Sequence, residues 1–192
     1  MKNYIREYKN ALSNQQCTDI IQFFERNVEE YGVTGLVDMA NQSNVINDSK
    51  KCIDMFLVGQ SEEFSKFENL LVKQVQRKVL EYGEAHEQTF LAYVKNPAHS
   101  LKTSQLSLRR YNIDDGFKWH IDAMSAKHHD RVLACVFYFN KPEKGGETRF
   151  VLDDKSYYDV TPETGKMVMF PCTWLFTHCS MPVIKGKKYV AT

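Results

Sequence analysis

Apolar residues near the start of the chain recur at the spacing of one helix face. This face consists of Cys17, Ile20, Ile21, Phe24 and Val28. Ser13 precedes the stretch and Gln16 follows Ser13 by three residues, which is the pattern of a capping box. Gly32 is placed to end the helix. The pattern therefore predicts an amphipathic helix over residues 14–30.

A second stretch repeats this periodicity further along the chain. Its apolar stripe consists of Phe64, Phe67, Leu71, Val75, Val79 and Tyr82. Ser61 can cap the helix, and Glu62 and Glu63 suit the positive end of the helix dipole. We expect both helices to bury one face against a sheet and to take no part in chemistry.

Most of the remaining chain consists of short strand-like runs separated by turn signals. Strands are predicted over residues 52–57, 90–94, 104–111, 117–122, 132–139, 147–152, 166–170, 174–179 and 189–192, with a hairpin over 183–188. Residues 33–50 are polar and predict a long loop, with room for one short strand, of a kind that often binds ligands. The predicted class is mainly β with N-terminal helices (α+β), built as a sandwich or jelly roll.

One predicted strand has a largely polar face. If residues 104–111 are extended, their alternation places on one side the set Gln105, Ser107, Arg109 and Tyr111. Such a strand predicts one wall of a wet pocket.

His120 and Asp122 are the centre of the candidate chemistry. At i and i+2 on a strand, their side chains point to the same face. A second imidazole from a distant strand, His178, would complete a 2-His-1-carboxylate triad. This arrangement leaves coordination positions open and is typical of non-haem Fe(II) oxygenases.

Lys188 follows His178 by ten residues in an otherwise apolar strand. A buried ammonium needs an anionic partner, which a dicarboxylate co-substrate would supply. Lys187 is the alternative, because sheet alternation lets only one of the two neighbours point inward. The ten-residue spacing favours Lys188.

Two other interpretations of the triad stay open. His128 and Asp130 form a second His-x-Asp pair, but they lie in a polar loop beside Lys127. Alternatively, His120, Asp122 and His178 are polar core residues satisfied by hydrogen bonds.

The order of these residues resembles that of a known family. The sequence presents, in turn, Tyr111, His120-x-Asp122, Arg131, Tyr138-Phe139-Asn140, Gly145-Gly146-Glu147-Thr148-x-Phe150, His178 and Gly186-x-Lys188. This set resembles the Fe(II)- and 2-oxoglutarate-dependent dioxygenases of the prolyl 4-hydroxylase-like branch. The resemblance covers residues 104–192, and the two helices fit the usual lead-in of that branch.

The resemblance implies a fold and a set of roles. It implies a double-stranded β-helix (a cupin-like jelly roll) over residues 89–192, flanked by two amphipathic helices in a lead-in over 1–88, as a single domain 1–192. His120, Asp122 and His178 would hold Fe(II). Lys188 would pair with the far carboxylate of 2-oxoglutarate, and Tyr111 and Tyr138 would donate hydroxyl hydrogen bonds to it. Arg131 and Trp119 are expected at the cavity mouth, in contact with substrate.

The resemblance also implies a reaction. With O2, 2-oxoglutarate would be decarboxylated to succinate while a C–H bond is hydroxylated, first of all that of a prolyl residue in a peptide or protein. A need for ascorbate is left open. Alternatives are hydroxylation of a free amino acid or other small metabolite, nucleic-acid demethylation, and a non-catalytic cupin-like metal-binding protein. Demethylating relatives usually use Arg for the co-substrate and need a basic face, neither of which is evident in this sequence.

Composition and charge bear on the partners and the cellular location of the protein. The 192 residues carry a formal net charge of +1, which gives no footprint for nucleic acid or an anionic membrane. The five cysteines show no CxxC spacing, and the first residues lack the apolar run of a signal peptide, so we expect a cytoplasmic protein with reduced thiols. The family's last strand usually extends further than Thr192. Either the sequence is trimmed or the strand is short, with a looser co-substrate end. The oligomeric state is not predicted.

Overall fold

The computed structural model describes residues 1–39, 42–46, 48–57, 59, 61–91, 95, 101–123, 130–153 and 155–192. The helices are α1 (Asn14–Tyr31) and α2 (Glu62–Ala85), with shorter turns of helix at Lys2–Tyr4, Glu87–Leu91 and Trp174–Phe176. The strands before α2 are β1 (Arg6–Tyr8), β2 (Val33–Thr34), β3 (Leu36–Met39), β4 (Gln42–Ile46), β5 (Lys50–Lys51) and β6 (Ile53–Phe56). Those after it are β7 (Ser107–Tyr111), β8 (Gly116–His120), β9 (Leu133–Tyr138), β10 (Lys144–Gly145), β11 (Thr148–Val151), β12 (Tyr157–Val160), β13 (Met167–Pro171), β14 (His178–Ser180), β15 (Val183–Lys185) and β16 (Lys188–Ala191).

The chain passes repeatedly between two antiparallel sheets. The large sheet has the strand order β1-β13-β9-β16-β7-β6-β2, and the small sheet has the order β12-β11-β14-β8-β5. From β7 onward, β8, β11, β12 and β14 belong to the small sheet, and β9, β13 and β16 to the large one. This alternation is the double-stranded β-helix that the resemblance implies, and the fold class is confirmed.

The core consists of side chains between the two sheets. Residues directly opposite each other in an antiparallel pair share a face, so the pairs Val168↔Val136 and Val190↔Tyr138 define the inner face of the large sheet. From the small sheet, Phe150 contributes a fully buried ring that meets the Phe170 ring edge-on at 4.8 Å. The site residues therefore have to fit into a close-packed interior.

Helix α1 forms as its sequence predicts. The Ser13 hydroxyl accepts a hydrogen bond from the Gln16 amide at 3.2 Å, and the Gln16 side chain accepts one from the Ser13 amide at 2.8 Å. Gly32 ends the helix, but with a φ of −74°, so it is not needed for a left-handed turn. A Cβ atom at Gly32 would lie 2.3 Å from the Val28 carbonyl oxygen, so space is the reason for glycine.

Residues 33–50 differ from the predicted long loop. β2 pairs with β6 in the large sheet, β5 pairs with β8 in the small sheet, and β3 and β4 pair with each other between them. Backbone groups satisfied by a ladder need no apolar periodicity, which is why the polar composition concealed these strands. Residues 40, 41 and 47 lie outside the described residues.

The described residues group into two compact units. One comprises Met1–Phe56 and Ser107–Thr192, and the other Leu57–Leu106. In the second unit, the Ser61 hydroxyl accepts from the Phe64 amide, and α2 buries Phe64, Phe67, Leu71 and Tyr82. The prediction of a single domain over 1–192 stays a prediction.

The strand predicted over residues 90–94 is wrong at its start. Phe90 and Leu91 belong to the π-helical turn Glu87–Leu91, and residues 92–94 lie outside the described part of the chain. The Phe90 amide donates to the His86 carbonyl oxygen, and the Phe90 ring meets the Tyr82 ring edge-on at 5.2 Å. This local packing outweighs the strand propensity of the sequence.

No helix among the described residues combines the length and apolar character needed to cross a membrane. The cytoplasmic location stays a prediction.

Candidate functional site

His120, Asp122 and His178 meet at the ends of two neighbouring inner strands of the small sheet. His120 ends β8, His178 begins β14, and the two lie directly opposite each other. The Nε2 atoms of His120 and His178 lie 3.7 Å and 3.8 Å from the two carboxylate oxygens of Asp122. All three potential ligand atoms lie within 4.8 Å of one another. This is the spacing of donor groups that could share one metal ion.

Asp122 reaches this point by a different route from the predicted one. Strand β8 ends at His120, and Asp122 lies in the turn that follows. The expected strand over 117–122 is therefore too long by two residues. Because Asp122 lies in a turn, its carboxylate reaches both imidazoles, although His120 and Asp122 do not lie on the same strand as predicted.

Backbone carbonyl groups hold both imidazole rings. Nδ1 of His120 lies 2.8 Å from the Lys118 oxygen, and Nδ1 of His178 lies 3.0 Å from the Phe176 oxygen. A carbonyl oxygen can only accept, so each Nδ1 carries the proton and donates it. Each Nε2 atom is left with a lone pair directed at the cluster, which is the form in which histidine binds metals.

Burial keeps the His120 imidazole neutral. Desolvation, with the neighbouring His178 as a second cause, lowers the pKa of His120 to about 3, although the Asp122 carboxylate acts in the opposite direction. The Phe117 ring stacks on the His120 ring at 3.6 Å, and the Phe150 and Phe170 rings lie 5.3 Å and 4.8 Å from His178. These rings fix the imidazoles and exclude water from one side of the cluster.

Lys188 is a buried cation, with 1% of its surface exposed. It lies opposite Tyr111 on the inner face of the large sheet, and Nζ sits 4.2 Å from the Tyr111 ring centroid. Nζ donates to the Gly146 oxygen at 2.9 Å and to the Ser180 hydroxyl. Among the described residues, no carboxylate lies within salt-bridge distance of Nζ.

This environment disfavours the charged form of Lys188. Burial lowers the pKa of Lys188 to about 7, and the positive charge of Arg109 adds to the shift. An anion arriving at Nζ would restore the charge. The neighbouring Lys187 is exposed, which fits the inward direction predicted for Lys188.

The position of Gly146, shortly before β11, requires a glycine. It adopts a φ of +81°, and a Cβ atom there would lie 3.2 Å from Cδ of Lys188. A side chain would therefore be strained and would press on the lysine.

Tyr111 and Tyr138 both lie in the interior near Lys188. The Tyr138 hydroxyl donates to the Thr148 hydroxyl at 2.7 Å. The Tyr111 hydroxyl accepts from Arg109 at 3.4 Å, which leaves its own proton for another acceptor. Burial raises the pKa of both phenols well above the usual range, so both remain donors at neutral pH. Their roles toward a co-substrate stay predictions.

The two predicted substrate contacts differ in position. Arg131 donates to the Asp122 carbonyl oxygen at 3.3 Å, so it borders the cluster. Trp119 is 46% exposed and stacks on Tyr157 at 5.8 Å, on the side of β8 opposite His120. These contacts lend Trp119 no support as a substrate residue, and both assignments stay predictions.

The second His-x-Asp pair is only partly described. His128 lies outside the described residues, and Asp130 is exposed. The structure therefore gives no geometry for this alternative.

One cluster of charged side chains was not predicted from the sequence. The Asp54 carboxylate, 1% exposed, lies 2.5 Å from Arg109 Nε and 2.5 Å from Lys50 Nζ. Arg109 belongs to the polar face predicted for residues 104–111. Lys50 lies within the segment predicted as a loop. The signal for Asp54 was its place as an acidic residue between the apolar Ile53 and Met55.

Comparisons with known proteins show which proteins this chain is similar to. Residues 106–192 match the family model of the 2OG-Fe(II) oxygenase superfamily. A PKHD-type hydroxylase from Synechococcus sp. (strain CC9902) is 26% identical over 91 residues, which are 46% of this chain and 40% of that protein. The match thus spans less than half the length of this relative.

Solved structures share the fold over nearly the whole chain. A Pseudomonas putida prolyl-4-hydroxylase superposes with a TM-score of 0.69 at 15% identity, covering 98% of this chain and 89% of the other. A prolyl hydroxylase from Trichoplax adhaerens, in complex with a hypoxia inducible factor peptide fragment, gives a TM-score of 0.72 at 14% identity, covering 98% and 81%. The collagen prolyl hydroxylase of Paramecium Bursaria Chlorella virus-1, in its 2OG complex, gives 0.62 at 16%, covering 98% and 93%.

The matched segment contains the three clustered ligand groups and Lys188, and the surrounding sheets have the prolyl 4-hydroxylase architecture. The C-terminal part of the chain is thus similar to the 2OG-Fe(II) oxygenase superfamily, and the chain shares the fold of the prolyl 4-hydroxylases.

Proposed function

We propose that this protein is an Fe(II)- and 2-oxoglutarate-dependent oxygenase that hydroxylates a C–H bond and releases succinate. The observation that carries the proposal is the combination of the His120, Asp122 and His178 cluster with the buried cation of Lys188. A bare metal-binding protein would need the cluster but not the buried lysine.

The residues present fit the metal. Two neutral imidazoles and one carboxylate are the donor set of non-haem Fe(II) oxygenases, and three protein ligands leave positions open. His120, Asp122 and His178 would hold Fe(II), and the hydrogen bonds from each Nδ1 to a backbone oxygen orient both rings before the metal arrives. Bound together, Fe(II), 2-oxoglutarate and O2 would supply the oxidising chemistry.

The residues present also fit the co-substrate. Lys188 would bind the far carboxylate of 2-oxoglutarate, with the Ser180 hydroxyl and the Gly146 carbonyl group holding Nζ in place. The Tyr111 hydroxyl, whose proton is not used by Arg109, would donate to the co-substrate. The Tyr138 hydroxyl lies on the same inner face and would do so in exchange for its bond to Thr148.

For the primary substrate we propose a prolyl residue in a peptide or protein. The similarity to prolyl hydroxylases from Pseudomonas putida and Trichoplax adhaerens supports this choice, and the latter was solved with a peptide. Arg131, beside Asp122, is the proposed contact with the substrate backbone. Hydroxylation of a free amino acid is the second candidate, favoured by the buried cationic residues around Asp54.

The test is formation of succinate together with a hydroxylated product. We expect Fe(II)- and oxygen-dependent succinate from 2-oxoglutarate, slow without substrate and faster with proline-containing peptides, which should gain one oxygen by mass spectrometry. Equal succinate in aerobic and anaerobic samples would refute the oxygenase. Succinate without oxygen on any peptide would refute only the prolyl substrate.

A further inference from the structure

Arg109 lies on the inner face of the large sheet, next to residues of the proposed co-substrate site. It is opposite Asp54 in the β6–β7 pair and opposite Val190 in the β7–β16 pair. Val190 belongs to the core cluster between the sheets, as does Tyr111, which lies two residues beyond Arg109 on β7. Because alternate residues of a strand share a face, the side chains of Arg109 and Tyr111 point into the same interior.

The guanidinium of Arg109 contacts three partners through three different nitrogen atoms. Nε donates to the Asp54 carboxylate at 2.5 Å, Nη1 to the Tyr111 hydroxyl at 3.4 Å and Nη2 to the Ser107 hydroxyl at 3.5 Å. The contact with Asp54 is short and joins two charges, whereas the two contacts with hydroxyls are long and join a charge to a neutral group. The guanidinium is planar and rigid, so the bond to Asp54 also fixes the position of Nη1 against Tyr111.

Asp54 is itself held from both sheets. Its carboxylate, 1% exposed, accepts from Arg109 in the large sheet and from Lys50 Nζ, at 2.5 Å, in the small sheet. Burial alone would raise the pKa of Asp54, but the charges of Arg109 and Lys50 lower it below the usual value. The carboxylate that orients Arg109 therefore stays ionised at neutral pH.

The bond from Arg109 limits where the Tyr111 hydroxyl can direct its proton. A phenol oxygen can accept one hydrogen bond while it donates another, and a guanidinium can only donate. The Tyr111 hydroxyl accepts from Nη1, so its own proton points away from Arg109. Lys188, whose Nζ lies 4.2 Å from the Tyr111 ring centroid, is also only a donor when charged. The proton is thus directed at an acceptor that enters the interior.

Arg109 also strengthens Tyr111 as a donor. Burial raises the pKa of Tyr111, whereas the charge of Arg109 and its hydrogen bond act in the opposite direction. In an interior of low dielectric constant, a hydroxyl that accepts from a cation is polarised and donates more strongly.

We propose that Arg109, held by Asp54, is a positioning residue that promotes 2-oxoglutarate binding through the Tyr111 hydroxyl, without contacting the co-substrate itself. The proposal rests on the proposed function and deepens it. Lys188 supplies the charge for the far carboxylate, Tyr111 supplies a directed hydrogen bond, and Arg109 sets the direction of that bond.

A double-mutant cycle tests whether Arg109 acts through Tyr111. Anaerobic titration of 2-oxoglutarate into the Fe(II)-loaded protein would compare the wild type, Arg109→Lys, Tyr111→Phe and the double variant. Lysine keeps the positive charge beside Asp54 but has one nitrogen atom instead of three, so the bond to Tyr111 should be lost. We expect each single variant to weaken binding about threefold to tenfold, as for one hydrogen bond. In the Tyr111→Phe background, Arg109→Lys should change the affinity by less than about 1.5-fold.

Two further variants complete the design. Arg109→Met removes all three nitrogen atoms while Asp54 keeps its bond to Lys50, and it should show the same dependence on Tyr111. Arg110→Lys is the matched control, because Arg110 lies on the other face of β7 and pairs with Glu25. It should leave the affinity unchanged in both backgrounds. Denaturant unfolding checks that each variant is folded, and none of these changes should alter Fe(II) affinity.

The outcomes separate this role from the alternatives. An equal loss on replacing Arg109 with and without the Tyr111 hydroxyl would overturn the proposal, because Arg109 would then act on the co-substrate directly or through the fold. Unchanged affinity in both Arg109→Lys and Arg109→Met would overturn it as well. A wild-type protein that does not bind 2-oxoglutarate would overturn both this role and the proposed function. Failure of the oxygenase alone would appear as normal binding of 2-oxoglutarate without oxygen-dependent succinate.

Discussion

A lysine ammonium buried as fully as that of Lys188 is unfavourable unless an anion compensates it. Its present partners are a carbonyl oxygen and a hydroxyl, which satisfy hydrogen bonds but carry no charge. The sequence predicts the inward direction of Lys188 from its spacing to His178. It could not predict the partners, because Gly146 and Ser180 come from distant parts of the chain.

Replacing Lys188 tests its role directly. Lys188→Ala should leave iron binding intact and weaken 2-oxoglutarate binding on the order of tenfold to several-thousand-fold, since removing one partner of a buried charged pair costs about 1.5–5 kcal/mol. Lys188→Arg should recover only part of the affinity, because its planar fork differs in length and shape. The measurement is anaerobic titration of 2-oxoglutarate into the iron-loaded variants.

Lys187→Ala is the control, and it should change the affinity less than about threefold, as for an exposed position. Normal affinity in Lys188→Ala combined with a large loss in Lys187→Ala would contradict the register of β16.

The depressed pKa of Lys188 predicts a pH dependence of co-substrate binding. In the free protein the pKa is about 7, and a bound carboxylate should raise it. Above pH 7, binding must therefore take up a proton, so affinity should fall by up to about tenfold per pH unit until the pKa of the complex is reached. Below pH 7 Lys188 is already charged and contributes no slope.

Lys188→Arg isolates this effect, because arginine stays charged and the metal site is unchanged. Proton uptake at pH 8, measured by titration calorimetry in buffers of different ionisation enthalpy, should occur in the wild type and be lost in the variant. Equal uptake in both proteins would assign the proton to another group.

At the scale of secondary-structure elements, the sequence predicts most where a pattern is local. The capping box of Ser13 and Gln16 and the apolar face of α1 both appear as predicted. β3 and β4 were missed because they pair with each other without an apolar pattern, and Phe90 was misassigned because its ring packs on Tyr82. The end of β8 at His120 was also not predicted from the local sequence. The turn that follows this strand brings Asp122 into the site.

Two variants would distinguish between the two His-x-Asp pairs. Asp122→Ala should abolish turnover and weaken Fe(II) binding, because Asp122 supplies the carboxylate that, among the described residues, lies within reach of both imidazoles. Asp130→Ala, at an exposed position, should retain near-normal activity. Iron content and succinate formation of both variants check this. An inactive Asp130 variant beside an active Asp122 variant would move the site to residues 128–130.

At the scale of the whole molecule, the two sheets share one interior that is both core and candidate site. The number and spacing of the strands predict the jelly roll. They could not predict which strands pair over long distances, such as β5 with β8. For this reason the meeting of Lys50, from the small sheet, with Asp54 and Arg109, from the large one, was invisible in the sequence.

Phe150 contributes both to the packing of the core and to the surroundings of a candidate metal ligand. Its buried ring contacts Phe170 across the two sheets and lies beside His178. Phe150→Ala should lower the free energy of unfolding by about 3–5 kcal/mol and weaken Fe(II) binding as well. Ile184→Ala, at an apolar residue 55% exposed, should change the free energy of unfolding by less than about 0.5 kcal/mol. Denaturant unfolding with and without metal is the measurement, and unchanged metal affinity in Phe150→Ala would show that the ring does not position His178.

The hydrogen bonds from His120 and His178 to backbone oxygens affect which substitutions the site can tolerate during evolution. In both cases the group that selects the imidazole tautomer is a main-chain carbonyl, two residues before the histidine. Every amino acid supplies the same carbonyl, so the side chain at the exposed position Lys118 is free to drift without disturbing the ligand it orients. Homologues can therefore differ at position 118 and still present the same His120 nitrogen atom to a metal ion, whereas Phe176, before His178, is buried and constrained by packing.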